Sequence, residues 1–465
     1  MKIVYLFNPS YDERNINFYN LGLISIASHL KRKGIPTHVY MNYLDKEFTR
    51  DKDYDLVLES ILKEEPLFIG ISCMTTQYME ALDLAQRIKS INSDIPIVFG
   101  GAHVNAYSQE LLDKHQEIDY CVTGFGETIS EMLCTNLTKP FYRKLRLPVK
   151  GMPLLKVYNE PLDFSTVVHY KPIERLMRGR TVKQASIMTS YGCPYSCRFC
   201  VNVGSPIIYR NTEAVLQEIE QVLDMGADSI FFCDELLFLK PERIDTITND
   251  FPWIALARID SPLDNLKHFR DKGCEELHFG VESGSQRVID KCINKKIKVK
   301  NVIPVFQKVL DADIMPRASF IIGMPGETIE DVCQTIWLIM EMAERFGNRF
   351  VVNAFFFYPI PNTPMTDEAF KGLTSQDCID AARLAVHPYN LFKHFSAYDF
   401  LPDKKFFAEC WYVARVISEI CAPYKYYKDY KPDFNQWGLS VSDETYKRLN
   451  KDKLSQKWLN KVRRF

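Results

Sequence analysis

Residues 187–200 read IMTSYGCPYSCRFC. A short run of strand character, Ile187–Ser190, leads into a loop that holds Cys193, Cys197 and Cys200, with three and then two residues between them. Three thiols in one tight loop suit three corners of an iron–sulfur cluster. A structural zinc site wants four ligands in closed tetrahedral geometry, and the next cysteine or histidine downstream is Cys233. One iron would lack a protein ligand and stay open to substrate chemistry.

Outward from this loop the sequence alternates strand and helix signals. Strands are predicted at Ile187–Ser190, Ser229–Cys233, Trp253–Arg258, Glu276–Val281, Pro316–Ile322 and Phe350–Phe357. Helices are predicted at Thr212–Met225, Pro241–Asp250, Leu263–Lys272, Val299–Ala312 and Thr328–Phe346. Six βα units over 183–372 are too few for a closed eight-stranded barrel and fit a partial (βα)6 barrel of the TIM type, with function at the carboxyl ends of its strands. A second βα series lies upstream, over 1–140. Its apolar strands are Lys2–Phe7, Thr37–Tyr43, Leu67–Ser72, Ile95–Phe99 and Tyr120–Thr123, and its helix Leu21–Lys33 ends in a basic turn before Gly34. Short apolar strands separated by helices imply a doubly wound, Rossmann-like parallel sheet. Ligands of such sheets lie beyond the carboxyl ends of the strands, where Asn8-Pro9, Ser72–Thr75, Gly100–His103 and Gly124–Glu127 fall. Residues 141–182 are weakly periodic and proline-containing and read as a linker. Residues 373–465 read as a small helical extension.

Composition narrows the function classes. The chain has 465 residues, 46% hydrophobic and 25% charged, with a formal net charge of −1. These are the proportions of a soluble globular protein, and the balance offers no global attraction to nucleic acid or an anionic membrane. Thirteen cysteines are too sparse for a disulfide scaffold. The opening MKIVYLF meets Asn8-Pro9 too soon for a secretory signal, and no stretch approaches the ~18 apolar residues of a membrane span. The expectation is a cytoplasmic, monomeric protein with reduced thiols.

The cysteine spacing resembles that of the radical S-adenosylmethionine (SAM) superfamily. The resemblance implies that Cys193, Cys197 and Cys200 bind a 4Fe-4S cluster whose open iron chelates SAM, and that cleavage of SAM yields a 5′-deoxyadenosyl radical. It also implies roles at the other strand ends. Phe199 matches the aromatic position near the adenine. Asp234 and Glu235 would meet the methionyl amino group, and Arg258 the carboxylate. Glu282 and Ser283 match the ribose position. Gly323 and Pro325, in GMPGE, resemble the glycine turn beside the adenine. Each has a plainer reading: helix capping for Asp234 and Glu235, a carboxylate partner for Arg258, an interior histidine for His278.

The first domain resembles the cobalamin-binding domain that precedes the radical domain in one large subgroup. The resemblance rests on GLISIASHLKRKG, ISCMTT, FGGAHVN and VTGFGET. It implies contacts from Asn8, Pro9, Ser72, Met74, Thr75, Gly100, Gly101, His103, Gly124, Gly126 and Glu127. One departure is informative. Many cobalamin carriers supply a lower axial histidine from a D-x-H-x-x-G motif after the first strand, and FNPSYDERNINFYNLG has none. The expectation is a cobalt without a protein imidazole, faced instead by Asn8 or Tyr11, a state suited to taking up and releasing a methyl group.

Together the resemblances imply a cobalamin-dependent radical SAM methyltransferase. It would methylate an unactivated carbon through the 5′-deoxyadenosyl radical and methylcobalamin, anaerobically, with a reductant such as flavodoxin or ferredoxin. One alternative is a cyclase or rrearrangement enzyme using the same domains without methyl transfer. Another is a cobalamin-binding regulator without turnover. The aromatic stretch His387–Phe400 is a candidate lid over an apolar or flat small molecule, with helical packing as its plainer role.

Overall fold

The computed structural model describes residues 3–9, 20–41, 58–139, 142, 145–152, 159–248, 251–384, 398, 400–422 and 440–464. The chain divides into two compact units. The first comprises Met1–Ile173, Lys183–Ser186 and Tyr209–Ala227; the second comprises Glu174–Val182, Ile187–Ile208 and Asp228–Phe465.

The first unit is built on six strands: β1 (Val4–Asn8), β2 (Thr37–Met41), β3 (Phe68–Ser72), β4 (Ile97–Gly100), β5 (Tyr120–Gly124) and β6 (Leu147–Gly151). Their order is β2-β1-β3-β4-β5-β6, and every adjacent pair is parallel. Helices α1 (Leu21–Arg32), α2 (Tyr78–Ile91), α3 (Ala102–Lys114) and α4 (Glu127–Asn136) connect them. β1 and β3 are buried along their whole length, because helices cover both faces of a parallel sheet. The chain passes from β1 to β2 on one side and to β3 on the other, so the crevice between β1 and β3 is the switch point where such sheets bind ligands.

Helix α1 begins at the switch point for a local reason. Asn20 caps it, its Oδ1 accepting from Leu23 N at 3.2 Å. The Asn20 Nδ2 donates to Asn8 Oδ1 at 3.0 Å and to Ser72 Oγ at 2.8 Å, tying the ends of β1 and β3 to the helix start. His29, Lys31 and Arg32 in the last turn complement the helix dipole, and Gly34 ends the run at φ 74°.

The second unit carries a seven-stranded sheet with the order β15-β14-β13-β12-β11-β8-β7. Its strands are β7 (Ile173–Met177), β8 (Arg180–Ile187), β11 (Ser229–Phe232), β12 (Trp253–Ala257), β13 (Cys274–Glu282), β14 (Met315–Ile322) and β15 (Val351–Phe356). A short pair, β9 (Ser190–Tyr191) and β10 (Ile208–Tyr209), flanks the cysteine loop. From β11 to β15 all pairs are parallel, and the architecture is a curled half-barrel. Helix α5 (Thr212–Asp224) follows the cysteine loop in sequence and belongs to the first unit, while α6 (Leu266–Asp271), α7 (Val302–Asp311) and α8 (Ile329–Phe346) follow successive strands of the second. On β13, Leu277, Phe279 and Val281 are buried toward the helices, where Phe279 meets Phe306 of α7 with ring centroids 5.3 Å apart. His278 and Gly280 are half-buried on the opposite, inner face, as strand alternation predicts. Met177, Val182, Phe231 and Ile254 pack together as an apolar cluster.

The expected linker contains structure of its own. β6 lies within 141–182 and joins the first sheet, and β7 and the start of β8 belong to the second. The first barrel strand accordingly runs Arg180–Ile187, earlier than the predicted Ile187–Ser190.

The C-terminal region is helical: α9 (Pro364–Ala369), α10 (Ser375–Leu384), α11 (Lys404–Cys421), α12 (Asp443–Leu449) and α13 (Lys453–Val462). α11 packs on β15, with Trp411 Nε1 donating to Ala354 O at 3.2 Å. Most of the candidate lid His387–Phe400 lies outside the described residues. Its Tyr398 is buried against Phe356 and Phe370 and donates its hydroxyl to Phe357 O at 2.7 Å, the packing role rather than a lid surface. Among the described residues no helix is long and apolar enough to cross a membrane.

Candidate functional site

The cysteine loop sits past the carboxyl end of β8 and is held from several sides. Cys200 N donates to Cys197 O at 3.1 Å, and Gly204 N to Tyr195 O at 3.0 Å. Asn202 N points at Cys200 Sγ at 3.4 Å. Cys197 is buried, while Cys193 and Cys200 are half-buried, and all three thiols are free. Burial pushes the Cys197 thiol up, and the charges of Lys295 and Arg258 oppose that rise. A bound metal supplies the larger charge that keeps such thiols deprotonated. Among the described residues no three His, Cys, Asp or Glu side chains converge on a single-ion site. A cluster, three of whose irons would each take one thiolate, does not require it. Three free thiols on one short, backbone-braced loop therefore fit a cluster.

The strand-end residues separate into two kinds. Asp234 is fully buried, accepting from Thr189 N at 2.9 Å, Thr189 Oγ1 at 2.7 Å and Ser190 Oγ at 2.6 Å, so it fastens the end of β8 to the end of β11. Its neighbour Glu235 accepts from Asn202 Nδ2 at 2.8 Å through Oε1, while Oε2 is buried with no partner among the described residues. Of the pair, Glu235 keeps an acceptor for an incoming ammonium group. Arg258 is committed to Asp260, at 2.8 and 3.0 Å, and to Lys295 O at 2.9 Å, and its guanidinium stacks 3.6 Å over the Tyr195 ring. Ser283 is buried against Thr335 Oγ1 at 3.0 Å. Glu282 adopts a left-handed φ of 68° at a register shift on β13, which turns its carboxylate onto Lys295 Nζ at 2.6 Å. Gly323 has φ 84°, and a Cβ there would stand 2.5 Å from the Phe356 ring. Glu327 fixes this turn, accepting from Gly323 N at 2.7 Å and Met324 N at 3.2 Å, while Pro325 is half-buried beside it. Phe199 is half-buried, 5.9 Å from Lys295 Nζ. Lys295 was not anticipated from sequence; its spacing of thirteen residues from Glu282 follows no local period.

Deeper on the inner face, His278 lies 3.3 Å from Glu276 Oε2 and accepts from Arg317 Nε at 3.2 Å, while Arg317 Nη2 donates to Glu276 at 2.8 Å. Burial, aided by the Arg317 charge, holds His278 at about 4.

In the first unit the predicted cobalamin contacts gather along the carboxyl edge of the parallel sheet. Asn8 and Ser72 are buried and bridged by Asn20. Gln77 Nε2 donates to Pro9 O at 2.7 Å, and its Oε1 is buried without a partner among the described residues. Gly101 has φ 105°, and a Cβ there would meet Cys73 O at 2.8 Å; at Gly124, φ 76°, it would meet Gly151 O at 2.5 Å. Gly126 packs under Ile26, and Glu127 accepts from Ser25 Oγ at 2.6 Å. Met74 is 50% exposed and Phe125 38% exposed, apolar surface next to Thr75, Gly100 and Gly124. A glycine-lined edge with exposed apolar side chains and an unused amide acceptor fits a large amide-bearing ring. His103 is fully buried, its Nδ1 3.2 Å from Thr75 Oγ1 and its ring between Tyr78 and Tyr107, so it braces the turn. Burial lowers it to about 4. Tyr11 lies outside the described residues. Asn20 and Gln77 escaped the sequence reading, because neither stands in a glycine turn.

His103 and His278, both pushed down, make a pH prediction. Both fold with a pKa near 4, below the ordinary value of about 6.5, so the unfolded chain binds more protons between these limits. Stability is full above about pH 6.5 and falls as the pH drops toward 4. Thermal unfolding measured from pH 7.5 to 5 should show a falling midpoint, with a shallower slope in His278→Asn.

Residues 13–133 match the B12 binding domain and residues 187–339 the Radical SAM superfamily. The chain is 28% identical over 307 residues to an uncharacterized methyltransferase of Pyrococcus horikoshii. That match covers 62% of this chain and 66% of the relative, just under two thirds of its length. It is 24% identical over 439 residues to the anaerobic magnesium-protoporphyrin IX monomethyl ester cyclase of Rubrivivax gelatinosus, covering 82% of this chain and 75% of that one. Its fold is similar to that of the radical SAM methyltransferase TsrM from Kitasatospora setae, solved with cobalamin and a 4Fe-4S cluster. There the TM-score is 0.60 at 17% identity, over 79% of this chain and 75% of that one. With the paired domain matches, the braced cysteine loop and the glycine-lined sheet edge, the chain carries a B12-binding domain ahead of a domain of the Radical SAM superfamily, the domain order of a cobalamin-binding radical SAM enzyme.

Proposed function

We propose that this enzyme moves a methyl group from SAM, by way of cobalamin, to an unactivated carbon of a small molecule. When bound, SAM at the cluster supplies radical initiation and cobalamin supplies a carrier for the methyl group. Cys193, Cys197 and Cys200 would hold the cluster. Glu235 Oε2 would accept from the SAM ammonium, Glu282 would meet the ribose, and Phe199 with the Gly323–Pro325 turn would border the adenine. The crevice from Asn8 to Glu127 would seat cobalamin. Residues 183–372 form the radical domain on this reading. A flavodoxin or ferredoxin would deliver the electron, and thirteen cysteines with no disulfide among them suit the reducing cytoplasm.

The observation that carries the reading is the engagement of His29, His38, His103 and His115 of the first unit by neighbouring side chains. His103 braces the Thr75 turn, His29 pairs with Glu131 at 2.8 Å, and His115 with the Tyr78 hydroxyl at 2.5 Å. His38 stacks on Tyr5 of β1. No histidine occurs in the sequence between Met1 and Leu23, which includes the loop after β1. A carrier crevice whose segment after β1 offers no imidazole, and whose His103 is held by Thr75, suits methyl exchange. A second reading, ring closure without methyl transfer, is favoured by the 82% of this chain that aligns with the cyclase.

Anaerobic reduction of the protein reconstituted with iron, sulfide and hydroxocobalamin, in the presence of SAM, separates them. Methyl transfer predicts S-adenosylhomocysteine, about one per bound cobalamin in the first turnover. 5′-Deoxyadenosine without any S-adenosylhomocysteine would select the cyclase reading.

A further inference from the structure

Between Glu282 and α7 the chain does something costly. Val288–Cys292 forms a π-helical turn, a rare element that recurs at functional sites. Asn294 and Lys296 then take left-handed φ values of 52° and 64°. Non-glycine residues hold such conformations when surrounding contacts over-determine them. Here those contacts point at the cysteine loop. Ile293 O accepts from Arg198 N at 2.9 Å. Asn294 Nδ2 donates to Ser196 Oγ at 2.8 Å and to Ser196 O at 3.2 Å. Lys295 reaches the other way, to Glu282 Oε1 at 2.6 Å, while its carbonyl holds Arg258, which stacks on Tyr195. The Lys295–Glu282 pair needs Gly280 beneath it: a Cβ there would stand 2.3 Å from Glu282 Oε1 and 2.6 Å from Lys295 Nζ.

We propose that Ile293–Lys295 is a clasp joining the ribose-side carboxylate to the cluster-bearing loop, so that SAM binding at Glu282 tightens the hold on the cluster. Asn294 and Lys295 are positioning residues in it. Asn294 grips the loop between Cys193 and Cys197, and Lys295 sets the direction of Glu282. The inference rests on the cluster and ribose placements proposed above.

The test uses the full chain reconstituted anaerobically with iron, sulfide and hydroxocobalamin. Iron release to a ferrous chelator is timed with and without SAM, SAM affinity is measured by equilibrium dialysis, and cobalamin stoichiometry monitors folding of the first unit. In the parent protein SAM slows iron release. In Asn294→Ala that protection is lost, with cobalamin still bound. Lys295→Met weakens SAM binding about tenfold, the scale of one charge-assisted hydrogen bond, and Lys295→Arg restores most of it. Three results would overturn the clasp: no protection by SAM in the parent, undiminished protection in Asn294→Ala, or Lys295→Arg binding SAM no better than Lys295→Met. Cys197→Ala run alongside distinguishes the underlying reading, because a cluster retained there refutes the ligand assignment itself.

Discussion

Cys197→Ala should form no detectable 5′-deoxyadenosine under anaerobic reducing conditions and should retain little iron and sulfide after desalting. Cys197 is the most deeply buried of the three thiols and the middle one of the loop. Its removal leaves two thiolates for a cluster that takes one at each of three irons. No replacement stands ready: the Cys233 thiol lies 3.3 Å from Ile187 O on a strand end, outside the loop. Cobalamin binding should survive, because its crevice belongs to the other compact unit. Loss of SAM cleavage with cobalamin retained therefore reports the cluster and not global unfolding. Full cleavage in the variant would remove Cys197 from the ligand set.

This expected dependence was legible in the sequence because the proposed ligands are local: their spacing is a property of eight consecutive residues. The parallel strands were legible for a different reason. Buried on both faces, they read as short apolar runs, and β1, β3 and β4 fall where VYLF, FIGIS and IVFG stand. β6 escaped because LPVKG, an edge strand with four of its five residues exposed or half-buried, carries too little apolar signal against its proline and lysine. The partners of charged groups were not legible at all. Arg258 could be placed at a strand end, but its engagement by Asp260 and the Lys295 carbonyl depends on a turn thirty-seven residues away. Asp234 and Glu235 are adjacent in sequence, yet one is saturated by Thr189 and Ser190 while the other keeps a spare oxygen. Composition and periodicity report burial; they do not report which buried acceptor has already found its donors.

Glu218→Ala should destabilise the first unit by about 3–5 kcal/mol, the usual cost of leaving a buried charge without its partner. Arg210 and Glu218 have no exposed side-chain surface and form a two-pronged ion pair. The carboxylate also accepts from Leu162 N at 2.6 Å, and Arg210 donates to Glu160 O at 3.3 Å. The pair thus pins a strap, Glu160–Ser165, against α5. The same strap is held to α1 by exposed contacts, Lys31 to Asp163 and Arg32 to Glu160. Exposed pairs are screened by solvent and worth at most about 1 kcal/mol each, so Lys31→Ala should cost little. Alanine at 218 deletes the charge and strands both the guanidinium and the Leu162 amide in a dry interior. The double variant Arg210→Met/Glu218→Leu removes both charges and should recover most of the loss, because a buried pair repays little beyond its own desolvation. Urea unfolding of the three variants, followed by a probe of the first unit such as bound cobalamin, reads the order directly. A Glu218→Ala midpoint equal to that of Lys31→Ala would mean that the strap is held by its surface contacts, with the buried pair contributing nothing to stability.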